Sequence, residues 1–269
     1  MKWVKFHHPD WCPTVLRRRT TEEALHLAGM AMEAVFTRGH SLLWGSCFPS
    51  QTAYRAAVCR LQKQGLIAYR RTGGRLPQML LTDAGEKRLP PAFRRRPPWP
   101  AKWNGIWNLL VYDVPENHRP YRDVLRAFLR QMRMGCLQKS VWVSPRDIRP
   151  EFADLTQAGA ADNFAFLFES RTVLGRSPQD VVETAWPMRT LRERHRWFLE
   201  LGQENLRLLD QGGLTQEDLC ALAHEERTAY GTVMEDDPFL PRALLPQDYL
   251  GEQVWNFHRK FCRQITSAL

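Results

Sequence analysis

The chain lacks the features that would assign it to a membrane, secreted or zinc-binding class of protein. It has no run of about 18 apolar residues, so no membrane-spanning helix is predicted. The opening residues, MKWVKFHHPDWCP, contain no continuous apolar segment, and a secretory signal peptide is not expected. None of the six cysteines forms a CxxC pair. This argues against a cysteine zinc site and favours reduced thiols in the cytoplasm.

Signatures of common catalytic sites are absent from the sequence as well. Neither a GxGxxG nor a GxxxxGKS phosphate loop occurs, and the GxSxG pattern of serine hydrolases is missing. His7, His8 and His195 lack companion ligands at metal-site spacing. The sequence therefore predicts no cofactor, no bound metal and no enzymatic activity.

Acidic residues are scarce in the first third of the chain. Residues 1–103 contain 18 Lys and Arg but only 6 Asp and Glu, whereas the remaining residues contain 20 and 23, respectively. A basic segment joined to a near-neutral one suits a polyphosphate partner, because each Lys or Arg placed at a phosphate releases condensed counterions. Basic charge alone also fits a soluble protein that binds nothing.

The pattern beneath this charge is that of a winged helix-turn-helix. TTEEALHLAGMAMEAVFT (20–37) predicts a first helix, and the segment after Ser50 predicts a second helix that ends at Gly65. LIAYRRTGGRLPQMLL then predicts two strands joined by a Gly-Gly turn, and Thr82 caps a short helix. We expect the second helix to enter the major groove of double-stranded DNA. The alternatives are a winged helix used for protein contact and an ordinary α+β domain with a basic solvated face.

The second helix and the hairpin supply the candidate DNA contacts. Amide and hydroxyl side chains near the helix start are suited to reading base edges, whereas cations mostly hold phosphates. The predicted readers are Gln51 and Thr52, beside the N-cap Ser50. The predicted phosphate contacts are Arg55, Arg60, Lys63, Arg71 and Arg75.

The rest of the chain predicts two further domains after a linker. Residues 90–103, PPAFRRRPPWPAKW, have no helical period and predict a stiff linker after the winged-helix domain of residues 1–89. Residues 104–174 alternate strand, helix, strand, helix and strand, which predicts a ferredoxin-like α+β sheet with one strand not located. Amphipathic segments over residues 175–269 predict a helical domain suited to dimerisation or to closing an effector pocket. The predicted fold class is therefore multidomain α+β.

Three separated segments resemble one family of regulators. YDVPENHRPYRDVLRAFLRQMRMGCLQKSVWVSP (112–145) resembles the small dimeric CRISPR adaptation nucleases and the central domain of the PaaX-type repressors. RAAVCRLQKQGLI and LTDAGEKRL resemble the PaaX-type winged helix, and DDPFLPRALLPQDYLGEQVWNFHRKF resembles that family's C-terminal segment. The resemblance implies a homodimeric transcription regulator, expected to be a repressor on a palindromic operator, that an acyl-CoA or related metabolite releases. Ser50, Gln51 and Thr52 depart from that family's Asn-Glu-Arg type start of the recognition helix, which implies a different operator sequence.

An effector site and two alternative functions remain open at the level of sequence. A basic cluster, Arg189, Arg192, Arg194 and Arg196, could meet the phosphates of a CoA effector, although a solvated helix face is the better explanation for any one of them. The adaptation nucleases place a metal-binding Asp where Asp113 ends a predicted strand, so an Mg²⁺-dependent nuclease is one alternative. The same Asp113 could instead cap the following turn. The other alternative is a non-enzymatic adaptor for nucleic acid or protein in a CRISPR or defence setting.

Overall fold

A computed structural model describes residues 51–70, 78–115, 119–157, 165–173 and 175–268. The helix predicted over residues 20–37 lies outside the described residues, as do Ser50, Arg71 and Arg75 and the turn between the hairpin strands. Helices and two small sheets make up the structure, which is α+β. Across the described ranges, no helix is long and apolar enough to cross a membrane.

The structure divides into two compact units, each built from more than one stretch of chain. The N-terminal unit comprises the described chain up to Pro98, with Arg194–Glu235 and Leu250–Leu269. The central unit comprises Trp99–Glu193 and Asp236–Tyr249. Both units include part of the region predicted as a helical C-terminal domain.

The described part of the N-terminal unit starts with a helix and a hairpin. Helix α1 (Gln51–Lys63) is followed by the antiparallel strands β1 (Ile67–Arg70) and β2 (Gln78–Leu81). The helix ends at Gly65 as predicted, because Gly65 has a φ of 69°, which favours glycine. The N–H of Gly65 donates to the Gln62 carbonyl at 3.0 Å, and the N–H of Leu66 donates to the Leu61 carbonyl at 2.9 Å. These two bonds form a Schellman motif, which satisfies carbonyls at the helix end and turns the chain into β1.

A short helix, α2 (Asp83–Arg88), docks onto this turn. Thr82 is its N-cap as predicted: the hydroxyl accepts from the Gly85 N–H at 3.1 Å and donates to the Gly65 carbonyl at 2.7 Å. A Cβ atom added to Gly85 would lie 2.1 Å from the carbonyl oxygen of Leu66. The segment LTDAGEKRL therefore needs glycine at this position to bring α2 against the start of the hairpin.

The central unit contains a four-stranded antiparallel sheet. Its strands are β3 (Trp107–Tyr112), β4 (Gly135–Gln138), β5 (Val141–Ser144) and β6 (Ala165–Ser170), which lie in the order β4-β5-β3-β6. Helix α3 (Arg119–Gln131) lies between β3 and β4 in the chain, and helix α4 (Arg149–Gln157) precedes β6. This element order and strand arrangement are those of a ferredoxin-like sheet. The strand that the sequence did not locate is β4.

Helices cover both faces of this sheet. On one face, residues of α3 and of the loop before α4 pack against the sheet around Leu110, Leu129 and Trp142. On the other face, helix α5 (Pro178–Ala185) packs Val181 and Val182 around Trp107 and Val143. The start of α5 is the predicted Ser177 cap, which forms a capping box with Asp180.

Three long helices complete the described structure. Helix α6 (Met188–Gln211) contributes residues up to Glu193 to the central unit and later residues to the N-terminal unit. Helices α7 (Gln216–Glu235) and α8 (Gly251–Ala268) belong to the N-terminal unit. Their apolar side chains form a shared core with the inner face of α1 and with the hairpin. This core contains Ala57, Leu61, Ile67, Leu81, Leu206, Leu222, Ala223, Phe261 and Ile265.

Candidate nucleic-acid interface

One face of helix α1 is anchored in the core and the other carries predicted DNA contacts. The side chain of Gln51 lies outside the described part of the structure. Ala57 and Leu61 are completely buried, whereas Thr52 and the predicted phosphate contacts of this helix are exposed. Because residues three and four apart share a helical face, Thr52, Arg55 and Lys63 lie along the solvent side. The exposed predicted contacts of α1 are Thr52, Arg55, Arg60 and Lys63.

Strand β1 adds an exposed aromatic residue and a further exposed cation to the contacts predicted from the sequence. Tyr69 and Arg70 are both exposed, and the accessible fraction of Tyr69 is 43%. Burial of the remainder of its side chain raises the pKa of Tyr69 above its ordinary value. The Tyr-Arg-Arg run before the predicted turn is the sequence signal for an aromatic and basic strand at this place. Helix α1 and strand β1 contain basic residues and no Asp or Glu.

The arginine triplet of the predicted linker contacts helix α2 through two of its members. Arg94 donates through its guanidinium to the carbonyls of Leu89 and Lys87, each at 3.0 Å. Arg95 lies 3.6 Å from the Glu86 carboxylate, and Arg96 is exposed. Arg94 therefore has a local role at the C-terminal end of α2, where cations interact favourably with unpaired carbonyls.

The predicted effector arginines have different surroundings. Arg189 and Arg196 are exposed, and they belong to the central and the N-terminal unit, respectively. Arg192 is only 16% exposed and contacts Glu183 at 2.6 Å and Asp248 at 3.2 Å. The hydrogen bond to Glu183 is the main cause of the raised pKa of Arg192. Two carboxylates thus already neutralise Arg192, whereas Arg189 and Arg196 face solvent.

Asp113 lies directly after β3 and is exposed. Within the described ranges, the clusters of three His, Cys, Asp or Glu that are close enough to share a metal ion do not include it. Its assignment as a metal ligand therefore stays a prediction that depends on a second copy of the chain.

A buried polar cluster in the central unit connects the segment after α7 to the region before β3. Asp237 is completely buried and accepts hydrogen bonds from the Tyr249 hydroxyl and from the Phe239 N–H, the latter at 2.8 Å. Trp99 donates to the Tyr249 hydroxyl at 2.5 Å. Burial raises the pKa of Asp237 to about 6, against the opposing effect of these hydrogen bonds and of the Arg133 charge. No local sequence pattern marks this cluster, because its members come from three distant segments.

A second buried polar cluster lies in the N-terminal unit and was also missed. Glu226 on α7 contacts His258 on α8, and Cys262 lies one turn after His258 on the same helix. Burial by itself lowers the pKa of His258, but the electrostatic interactions and hydrogen bonds with Cys262 and Glu226 outweigh it and raise the pKa above its ordinary value. The spacing of His258 and Cys262, four residues apart in a helix, is the signal that the sequence carries for this cluster.

Residues 100–182 match the family model described as "PaaX protein central Cas2-like domain". The resemblance of this domain to the PaaX-type family is confirmed. The matched range contains the whole ferredoxin-like sheet and reaches into α5, so the PaaX-type domain corresponds to most of the central unit.

Comparisons of the whole chain with known proteins identify a structure with a similar fold and no protein of known function. No curated protein matches the chain. Among solved structures, the chain is similar to the uncharacterized protein Rv0674 from Mycobacterium tuberculosis, with a TM-score of 0.54 and 20% sequence identity. The similarity covers 93% of this chain and 97% of that chain. At this identity, the likeness shows a shared fold.

Proposed function

We propose that this protein is a PaaX-type transcription regulator that binds double-stranded DNA through helix α1 and the β1–β2 hairpin. The observation that carries the proposal is a PaaX-type central domain in the same chain as a helix–hairpin unit whose outer face is basic. The absence of carboxylates from α1 and β1 means that no side chain of these elements would repel phosphates.

The proposed interface divides into contacts that position the protein and contacts that read sequence. In this proposal Arg55, Arg60 and Lys63 hold phosphates, and Gln51 and Thr52, at the start of α1, read base edges. The inner face of α1 is packed in the unit's core, so its exposed side chains are presented by a rigid element. Arg71 and Arg75 of the predicted wing extend the phosphate contacts.

The remaining parts of the proposal concern assembly and control. The regulator acts as a cytoplasmic homodimer on a palindromic operator, represses transcription and releases DNA when it binds an acyl-CoA or related metabolite. Arg189 in the central unit and Arg196 in the N-terminal unit are exposed, and each is by itself a candidate contact for the effector's phosphates. An effector of this kind changes DNA affinity only if it binds the two dimer geometries with different free energies.

The first experiment compares binding to the protein's own upstream promoter with binding to a scrambled duplex at about 150 mM salt. Mg²⁺ is present, and gels record cleavage in the same samples. Selective binding without cleavage supports the regulator. Mg²⁺-dependent cleavage that is abolished by Asp113→Ala would contradict the regulator and indicate a nuclease. Stable capture of a protein partner without DNA binding would indicate an adaptor.

Single substitutions then test the interface. Arg55→Ala should lower affinity for all duplexes and reduce the slope of log affinity against log salt by about 0.9, the value for one phosphate contact. Gln51→Ala should instead change the preferred operator sequence. Arg207→Ala, which removes an exposed arginine of α6, is the control for loss of one charge and should leave the slope unchanged. An unchanged slope in Arg55→Ala would contradict the assignment of α1.

A further inference from the structure

Glu226, His258 and Cys262 bring three kinds of metal-ligating atom together in the N-terminal unit. All three residues are buried, and their ligand atoms lie within 4.8 Å of one another. Nδ1 of His258 is 2.9 and 3.0 Å from the two carboxylate oxygens of Glu226 and 3.7 Å from Sγ of Cys262. Both carboxylate oxygens face the imidazole, so Glu226 offers one or two ligand atoms.

We propose that Glu226, His258 and Cys262 form a binding site for Zn²⁺ or a related transition-metal cation. Imidazole, thiolate and carboxylate are the protein ligands of zinc, whereas Mg²⁺ and Ca²⁺ select oxygen ligands alone. Around a tetrahedral zinc ion, bond lengths of about 2.05 Å to nitrogen and 2.3 Å to sulfur separate these atoms by about 3.6 Å. The observed Nδ1–Sγ distance of 3.7 Å fits this separation.

The pair of Glu226 and His258 needs only a small adjustment to admit the ion. Tetrahedral zinc separates an imidazole nitrogen from a carboxylate oxygen by about 3.4 Å. The observed separations are 2.9 and 3.0 Å, so the two side chains must move apart by about half an ångström. Binding of the ion displaces the imidazolium proton of His258 and the thiol proton of Cys262 to solvent. The neutral imidazole, the thiolate and the carboxylate then carry two negative charges, which a divalent cation balances. The loaded site therefore buries no net charge, which removes the main cost of placing ions in an apolar interior.

The surroundings hold the imidazole in a fixed orientation. The ring of Tyr230 stacks on His258 with a centroid distance of 3.8 Å and an interplanar angle of 6°. The Tyr230 hydroxyl donates to the Ala92 carbonyl at 2.6 Å, and Phe93 meets the His258 ring edge-on. Contacts of this kind outside the ligand set fix the ligand's direction before the ion arrives.

The site also lies where a bound ion would affect the helix proposed to bind DNA. The ligands belong to α7 and α8, and Phe261, next to Cys262, shares a hydrophobic core with Ala57 and Leu61 of α1. An ion that joins α7 to α8 stabilises this core, because it binds the folded unit and not the unfolded chain. The effect on DNA affinity rests on the proposed function, whereas the metal site itself does not.

Cobalt titration of the full chain tests the site. Co²⁺ added to chelator-treated protein should produce a thiolate-to-cobalt absorption band that saturates at one ion per chain, and Zn²⁺ should abolish the band. Cys262→Ala should lose the band. Cys220→Ala is the matched control, since Cys220 is equally buried at 8% exposure in the same unit, and it should keep the band. Glu226→Gln, which keeps the side-chain volume, should weaken Zn²⁺ binding at least about tenfold.

The outcomes separate the metal site from the proposed function. A wild-type titration without the band, or a band that persists in Cys262→Ala, overturns the site whatever the protein does with DNA. If Cys262→Ala does not fold, as judged by circular dichroism, Cys262→Ser takes its place. The same metal-free and Zn²⁺-loaded samples are then tested on promoter DNA. A cobalt band without selective DNA binding would support the metal site and contradict the proposed function. Selective DNA binding without the band would contradict the metal site alone.

Discussion

Replacing Gly85 with alanine should destabilise the helix–hairpin unit more than an alanine substitution at any exposed position of the same helix. The added Cβ would lie 2.1 Å from the Leu66 carbonyl oxygen and 2.7 Å from Cδ1 of Leu81. The carbonyl belongs to the backbone at the start of the hairpin and has no rotamer by which to move away. Helix α2 must therefore shift away from the turn that ends α1.

The expected cost follows from the contacts that this shift breaks. Thr82 loses its bonds to the Gly85 N–H and the Gly65 carbonyl, at about 1 kcal/mol each. Residual overpacking adds about 1–3 kcal/mol. The better helix propensity of alanine returns about 1 kcal/mol. The net loss of unfolding free energy is therefore about 2–4 kcal/mol.

Urea unfolding of the full chain, followed by circular dichroism, measures this loss. Ala84→Leu is the control, because Ala84 is an exposed neighbour in the same turn and its enlargement should change stability by less than about 0.5 kcal/mol. If Gly85→Ala were as stable as the wild type within that margin, the close approach of α2 to Leu66 would not exist in solution. Promoter binding by Gly85→Ala should fall in parallel, since α2 supports the hairpin that follows α1.

Four further substitutions test the central unit. Asp237→Asn should flatten the pH dependence of the unfolding free energy. Burial raises the folded-state pKa of Asp237 to about 6 from the ordinary 3.8, so the folded state binds this proton more tightly than the unfolded chain does. The stability that this proton contributes is present below about pH 4 and declines by roughly 3 kcal/mol as the pH rises through 6. Urea unfolding at about pH 4 and pH 8 measures the decline, and an equal decline in the variant would contradict the assignment. Arg192→Ala should lower the unfolding free energy measured in urea by about 1 kcal/mol or less, because its partners Glu183 and Asp248 are 43% and 67% exposed. Arg189→Ala should leave this free energy unchanged and should weaken acyl-CoA binding measured by calorimetry. Ser177→Ala removes the capping box of α5 and should cost about 1 kcal/mol in thermal unfolding; no change would mean that the cap contributes nothing.

Local sequence signals predicted the elements that depend on local interactions. The apolar spacing of α1, its end at Gly65 and the caps at Thr82 and Ser177 all appear in the structure, because each is decided by residues within one or two helical turns. Strand β4 was not located for the opposite reason. Its four residues, GCLQ, include the exposed Cys136 and pair with β5. Gly135 packs so closely against helix α5 that an added Cβ would lie 2.7 Å from Cβ of Ala185, a residue far along the chain. Short-range periodicity carries no signal for such contacts.

The amino-acid sequence by itself determined the basic first third, the exposed cations of α1 and the resemblance of the central domain to the PaaX-type family. These properties follow from residue type and short-range period, which need no knowledge of what lies across the core. The tertiary structure decided that Arg192 is neutralised by Glu183 and Asp248, that Asp237 is buried beside Tyr249, and that Glu226 meets His258 and Cys262. Each arrangement brings together residues from different helices or loops. Burial and charge proximity, which control the chemistry of these groups, exist only once the chain has folded.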